Sequence, residues 1–147
     1  MANILVSACL LGRCCRYKGD GCENGGVLKL LDKHTLIPVC PEQLGGLKTP
    51  RAPSEIVNGS VVNNLGEDVT TEYTQGAQAA LRIAQLNNVK LAILKSRSPS
   101  CGSGLIYDGS FTGKKIPGDG VCAALLKQNG IKVITEDELD TLSEEEL

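Results

Sequence analysis

Short aliphatic runs alternate with segments of helical spacing along this chain, and that alternation constrains the fold more than any other feature of the sequence. Residues 3–8, 35–40, 90–94 and 131–134 are rich in Val, Ile and Leu and are bounded by glycine, proline or charge, which marks buried strands. Between them, residues 27–33 read as a short helix with Leu28, Leu30 and Leu31 facing in. Residues 68–88 carry the strongest helical pattern, with Asp68 or Thr70 as cap and Tyr73, Ala77, Ala80, Leu81 and Ala84 on one face. A further helix over 120–128 ends at Asn129-Gly130. This order predicts an α/β fold: a single Rossmann-like domain over residues 1–147, with a mainly parallel sheet and helices on both faces. One insertion interrupts it. Glu55-Ile56-Val57, Asn58-Gly59 and Ser60-Val61-Val62 predict a β-hairpin, because Asn-Gly suits a type I′ turn.

Composition narrows the class. With 41% hydrophobic and 22% charged residues the chain is expected to be globular, and with no Trp and one Phe its core must come from Leu, Ile, Val and Ala. No apolar run reaches the roughly 18 residues of a membrane span. The N-terminus lacks the basic leader of a signal peptide, so a cytoplasmic location is the expectation. Seven of the 17 acids lie in residues 136–147, expected to form a solvated acidic helix. The remainder holds 15 cations against ten acids, a balance too mild for duplex nucleic acid. No feature specifies an oligomeric state.

The seven cysteines carry the chemistry. An odd number in a chain without a leader argues against a disulfide scaffold and for metal or redox work. In open α/β sheets the ligand crevice lies beyond the carboxyl ends of the strands. Cys9, Cys40 and Cys101 each fall at or just past the end of a predicted strand, in loops of glycine, proline and charge. The topology therefore makes them neighbours. Their residue types alone leave two readings open, buried small apolar groups or a shared metal or redox site. Cys122, on a helix face, reads as core. Cys14 and Cys15 are adjacent, so their side chains diverge and both do not suit one ion. The absence of any Cys-x2-Cys pair weakens a zinc ribbon, and Cys9-x4-Cys14 lacks the next step of a ferredoxin pattern. His34, without a partner histidine, reads as a surface or helix-end residue.

Ser7-Ala8-Cys9-Leu10-Leu11-Gly12, Cys15-Arg16-Tyr17, Cys40-Pro41-Glu42-Gln43-Leu44-Gly45-Gly46-Leu47, Pro50-Arg51 and Leu94-Lys95-Ser96-Arg97-Ser98-Pro99-Ser100-Cys101-Gly102 together resemble the thiouracil desulfidase family, over nearly the whole chain. The resemblance implies a [4Fe–4S] cluster held by Cys9, Cys40 and Cys101, and non-redox removal of sulfur from a small thiolated pyrimidine. It also implies that Glu42 and Ser98 are the polar residues of the active site. Cys14 and Cys22 fall outside the family's pattern.

Physical chemistry agrees with that implication. Three thiolates for four irons leave one iron open, and a soft iron prefers a thiocarbonyl sulfur to an oxygen. Water then attacks the ring carbon, Glu42 handles its proton, and Ser98 hydrogen-bonds the substrate or sulfide. Arg13, Arg16, Lys18, Lys48, Arg51, Lys95 and Arg97 lie in the three cysteine loops, where they would offset an anionic cluster. Arg51, between Pro50 and Pro53, is expected to be ordered. A non-catalytic sulfide or metal carrier is the alternative. An anion-binding nest at Ser98-Pro99-Ser100-Cys101-Gly102-Ser103-Gly104 ranks below both, since no nucleotide-binding glycine motif accompanies it.

Overall fold

Strand β1 (Asn3–Ser7) is central because four of its five residues are buried. A 3-10 turn over Ala8–Leu11 carries the chain off the end of this strand. In the computed structural model, which describes residues 2–142, Asn24 then starts helix α1 (Gly25–Leu28) by accepting the Val27 amide. The helix tightens into a 3-10 turn over Lys29–Asp32. That cap sets the helix two residues earlier than the leucine spacing predicts. Val27 is therefore the fully buried side chain, while Leu31 is exposed.

Strand β2 (Thr35–Val39) leads into helix α2 (Pro41–Leu44), where Pro41 occupies the first turn, a position that needs no N–H donor. A hairpin of β3 (Ser54–Val57) and β4 (Ser60–Asn63) turns at Asn58 and Gly59, both with positive φ, as the Asn-Gly signal predicts. Helix α3 (Thr70–Leu86) follows, then β5 (Leu91–Leu94). A second hairpin, β6 (Leu105–Tyr107) with β7 (Lys115–Pro117), was not anticipated, because β7 is exposed throughout and carries no buried face. Helix α4 (Val121–Gln128) and β8 (Lys132–Thr135) complete the sheet. The acidic segment begins as a 3-10 helix over Glu136–Thr141, fixed by a capping box between Thr135 and Glu138. The rest of the predicted acidic helix, from 143 on, lies outside the described residues.

The sheet runs β2-β1-β5-β8 with every pair parallel, so all four strands end at one edge. Alternation along buried strands supplies two cores. Leu5, Ala92, Leu94 and Val133 meet α3 and α4 on one face, and Ile4, Val6, Ile93 and Ile134 meet α1 and the first cysteine loop on the other. Among the described residues no helix is long and apolar enough to cross a membrane.

One contact positions the site. Helices α2 and α3 touch backbone to backbone through two glycines. A Cβ on Gly76 would stand 1.8 Å from the Pro41 carbonyl oxygen, and one on Gly45 would stand 1.8 Å from that of Glu72. Gly76 thus shares the buried face of α3, whereas Leu81 is half-buried. Gly76→Ala must push α2 away, and overpacking of this kind costs about 1–3 kcal/mol or more. We expect a fall in the denaturant midpoint of unfolding. An unchanged midpoint would show that the two helices do not rely on this approach.

Candidate active site

At the common edge of the strands the chain builds three loops. Cys9 sits in the turn after β1, where its carbonyl accepts from the amides of Gly12 at 3.1 Å and Cys22 at 2.8 Å. Cys40 ends β2 as the residue before α2, and its thiol points to the Cys15 carbonyl oxygen at 3.8 Å. Cys101 follows β5 in a turn shaped by Ser98, whose Oγ accepts the amides of Ser100 and Cys101, both at 3.1 Å. The first turn of α4 clamps that loop, since the amides of Val121 and Cys122 donate to the carbonyls of Pro99 and Ser100 at 2.8 Å. Gly120 permits the approach: a Cβ there would lie 2.5 Å from the Ser100 carbonyl oxygen.

The loops enclose a cavity of about 410 Å³, within the range of small-molecule sites. Cys9, Cys40 and Cys101 line it together with Glu42, Ser98, Arg51, Lys95 and Arg97. Of the seven loop cations expected to offset a cluster, Arg16, Arg51, Lys95 and Arg97 line this cavity, whereas Arg13, Lys18 and Lys48 do not. Cys15 also lines it, 2% exposed, while its neighbour Cys14 is exposed, as diverging side chains require. Cys22 is half-buried and receives a hydrogen bond from Arg16. Cys122 is fully buried in the core. His34 accepts the Ala2 amide at 3.0 Å, tying the starts of β1 and β2 away from the cavity.

Polar groups around Glu42 are fixed. Arg51 donates from both Nε (2.8 Å) and Nη2 to Glu42 Oε2, and its Nη2 also reaches the Cys15 carbonyl at 2.9 Å. The same guanidinium holds Thr49 Oγ1 at 2.9 Å, and the Arg51 amide donates to the Tyr17 carbonyl at 2.8 Å. One arginine thus locks the first and second cysteine loops together. Tyr73 comes from α3 and lines the cavity beside this pair; burial, then the charge of Glu42, pushes its phenol well above the usual range.

Of the four cations lining the cavity, Arg16, Arg51 and Lys95 are paired with Asp20, Glu42 and Glu136. Arg97 makes no ion pair among the described residues and holds a left-handed backbone, φ +62°. Such strain in a non-glycine residue is commonest at functional sites.

The acidic segment is not simply solvated. Glu136 takes Lys95 Nζ at 2.6 Å on one oxygen and the Ser96 amide at 2.7 Å on the other, which ties the end of β5 to the end of β8. Burial opposes its charge, but Lys95 and the Ser96 amide outweigh that and hold its pKa below the ordinary value. A depressed folded pKa contributes stability above the unfolded value, lost as pH falls through the folded one. Glu136→Gln is expected to cost about 1–3 kcal/mol at neutral pH. The gap to wild type should close on acidification below pH 4, as followed by urea unfolding. A gap that persists there would assign the effect to packing.

Burial and contact between thiols raise three of the cavity cysteines above the ordinary thiol range, which favours their protonated form. Burial pushes Cys101 up to about 12. Contact with Cys15, then burial, raises Cys40. Contact with Cys40 lowers Cys15, but contact with Cys9 and burial carry it up to about 11. An electropositive metal group would displace those protons and turn the cluster of thiols into a set of soft anionic donors. Among the described residues no three His, Cys, Asp or Glu side chains are grouped to hold one ion.

Sequence reasoning missed Cys15 as a lining thiol, the Arg51–Glu42–Tyr73 arrangement, and Tyr17, Tyr107, Phe111 and Glu55, which also line the cavity. A signal existed for Tyr73 alone, as the single large polar residue on the buried face of α3.

Comparison with known proteins gives a consistent result. YbbK of Bacillus subtilis (strain 168), an uncharacterised protein, is 48% identical over 149 residues, covering 95% of this chain and 99% of its own length. A solved structure, the [4Fe–4S]-dependent thiouracil desulfidase TudS, superposes with a TM-score of 0.91 at 42% identity, covering 97% of this chain and 95% of that one. Residues 4–138, which contain both core faces and all three cysteine loops, match the 2-thiouracil desulfurase family. The chain belongs to the 2-thiouracil desulfurase family of enzymes.

Proposed function

We propose that this protein removes sulfur from a thiolated pyrimidine of the 2-thiouracil kind by hydrolysis, using a [4Fe–4S] cluster held by Cys9, Cys40 and Cys101. The observation that carries the reading is the meeting of these three thiols with Glu42 and Ser98 in one cavity at the carboxyl edge of the sheet. The donor set fits such a group: free soft sulfur from three separate loops, with Cys9 and Cys101 buried and Cys40 half-buried. When bound through three thiolates, the cluster supplies one iron without a protein ligand, a Lewis acid for a soft thiocarbonyl sulfur.

The protein's own residues then supply the remainder. Glu42 accepts the proton of the water that attacks the ring carbon, its carboxylate oriented by Arg51. Ser98 Oγ already accepts two amides, so its hydroxyl hydrogen is left to donate into the cavity. Arg97 presents a cation to the departing sulfide or to a ring oxygen. The balance is closed: thiolated pyrimidine and water give the oxo pyrimidine and hydrogen sulfide, with no electrons exchanged.

The test is anaerobic reconstitution with iron and sulfide, followed by incubation with 2-thiouracil. Uracil and sulfide should appear in equal amounts over many turnovers. A single equivalent of retained sulfide without turnover would favour the carrier. Arg97→Gln should keep the iron content and raise KM, whereas an unchanged KM would remove Arg97 from the site.

A further inference from the structure

The chain has four aromatic side chains, three Tyr and one Phe, and all four line the cavity that holds the cysteines. None was spent elsewhere in the core. Planar π-faces gathered around one cavity suit a flat heteroaromatic ring better than an aliphatic thioamide. The four are not equivalent. Tyr73 is 2% exposed, so its ring is not free to receive a substrate. Lys18 Nζ stands 5.8 Å from the Tyr17 ring centre, and Lys115 Nζ stands 5.9 Å from that of Tyr107. Among the described residues no cation or ring covers Phe111, which is 37% exposed.

Phe111 is also held there at a cost. Its backbone has φ +58°, a conformation that suits glycine and strains a bulky residue. The loop between β6 and β7 is fastened to the other hairpin by Glu55, a 9% exposed carboxylate. Its Oε1 accepts the amides of Gly109 at 3.0 Å and Phe111 at 3.2 Å. Gly109 lies against β3, where a Cβ would meet the Ile56 carbonyl oxygen at 2.7 Å. Ser110 adds bonds to Asp108, from its amide at 2.9 Å and its hydroxyl at 2.5 Å. The loop is a rigid mount that ends in an uncovered ring at the cavity.

We propose that Phe111 is a specificity residue: its ring stacks on the planar pyrimidine and selects ring thiocarbonyls over open-chain ones. This rests on the desulfurase reading and adds to it the group that recognises the ring. Base–aromatic stacking, removed by truncation, costs roughly 5- to 150-fold in affinity. Phe111→Gly suits the strained backbone and deletes the ring, so it separates recognition from folding.

The experiment compares wild type, Phe111→Gly and Phe111→Tyr, each reconstituted, with 2-thiouracil and with thiourea as the open-chain thiocarbonyl. Expected for Phe111→Gly are unchanged iron content and melting temperature, a KM for 2-thiouracil raised roughly 5- to 150-fold, kcat nearly unchanged, and an unaltered KM for thiourea. Phe111→Tyr should retain the wild-type KM. Equal losses on both substrates, or none on 2-thiouracil, would overturn the assignment, as would a loss explained by a lower melting temperature. If wild type releases no sulfide from 2-thiouracil, the desulfurase reading fails on its own. Equilibrium binding of uracil to the same three proteins then decides the stacking claim: weaker binding in Phe111→Gly alone supports it, and equal binding refutes it.

Discussion

Replacing Cys9, Cys40 or Cys101 singly with alanine is expected to reduce the iron of the anaerobically reconstituted protein from about four per chain to near zero. Each thiol comes from a different loop, and the loops of Cys40 and Cys101 hold no second cysteine. Two thiolates would leave half the irons without a protein anchor. Cys122→Ser is the contrast: the residue is fully buried on α4 in the core, and its loss should leave iron unchanged at a stability cost of about 1–3 kcal/mol for an unpartnered hydroxyl. Cys15→Ala is the finer contrast. Arg51 and Cys40 hydrogen-bond to the Cys15 backbone carbonyl, which survives the substitution, so iron should be retained. Full iron in Cys40→Ala with loss in Cys15→Ala would exchange the two residues in the ligand set.

Glu42→Gln should lower turnover of 2-thiouracil by about 100-fold or more, with iron content and substrate affinity close to wild type. The amide keeps the size of the side chain and can still face Arg51, but it takes no proton from water. General acid–base assistance of this kind is worth about 10²–10⁴-fold. The carboxylate is held by Arg51, which the amide oxygen can still meet, so the substitution should leave the cavity in place. Wild-type turnover in Glu42→Gln would remove the carboxylate from proton transfer. Loss of the cluster would instead assign it to support of the Cys40 loop, two residues away.

The strands were legible because each is a compact aliphatic run, and the parallel sheet followed from their alternation with helices. That topology is also why three cysteines separated by 31 and 61 positions could be expected at one edge. What escaped was set by contacts between distant segments. Helix α2 has four residues and no period to read, and its place depends on Gly45 and Gly76. Strand β7 of the second hairpin is exposed throughout and so offers no alternation to read. Lys95, expected to offset the charge of a cluster, is paired with Glu136 across 41 positions, which also removes that acid from the solvated tail. Glu42 was named through the family resemblance, but its pairing with Arg51 beside Tyr73 appears only when α3 is brought under the loops.

The central claim is hydrolysis without redox change at a cavity built from Cys9, Cys40, Cys101 and Glu42. It is tested most directly by turning over 2-thiouracil in ¹⁸O-enriched water, with no electron donor present, and analysing the uracil by mass spectrometry. The account predicts uracil carrying a single ¹⁸O at the former thiocarbonyl carbon, with one sulfide released for each. Uracil without ¹⁸O, or turnover only when an electron donor is supplied, would contradict it.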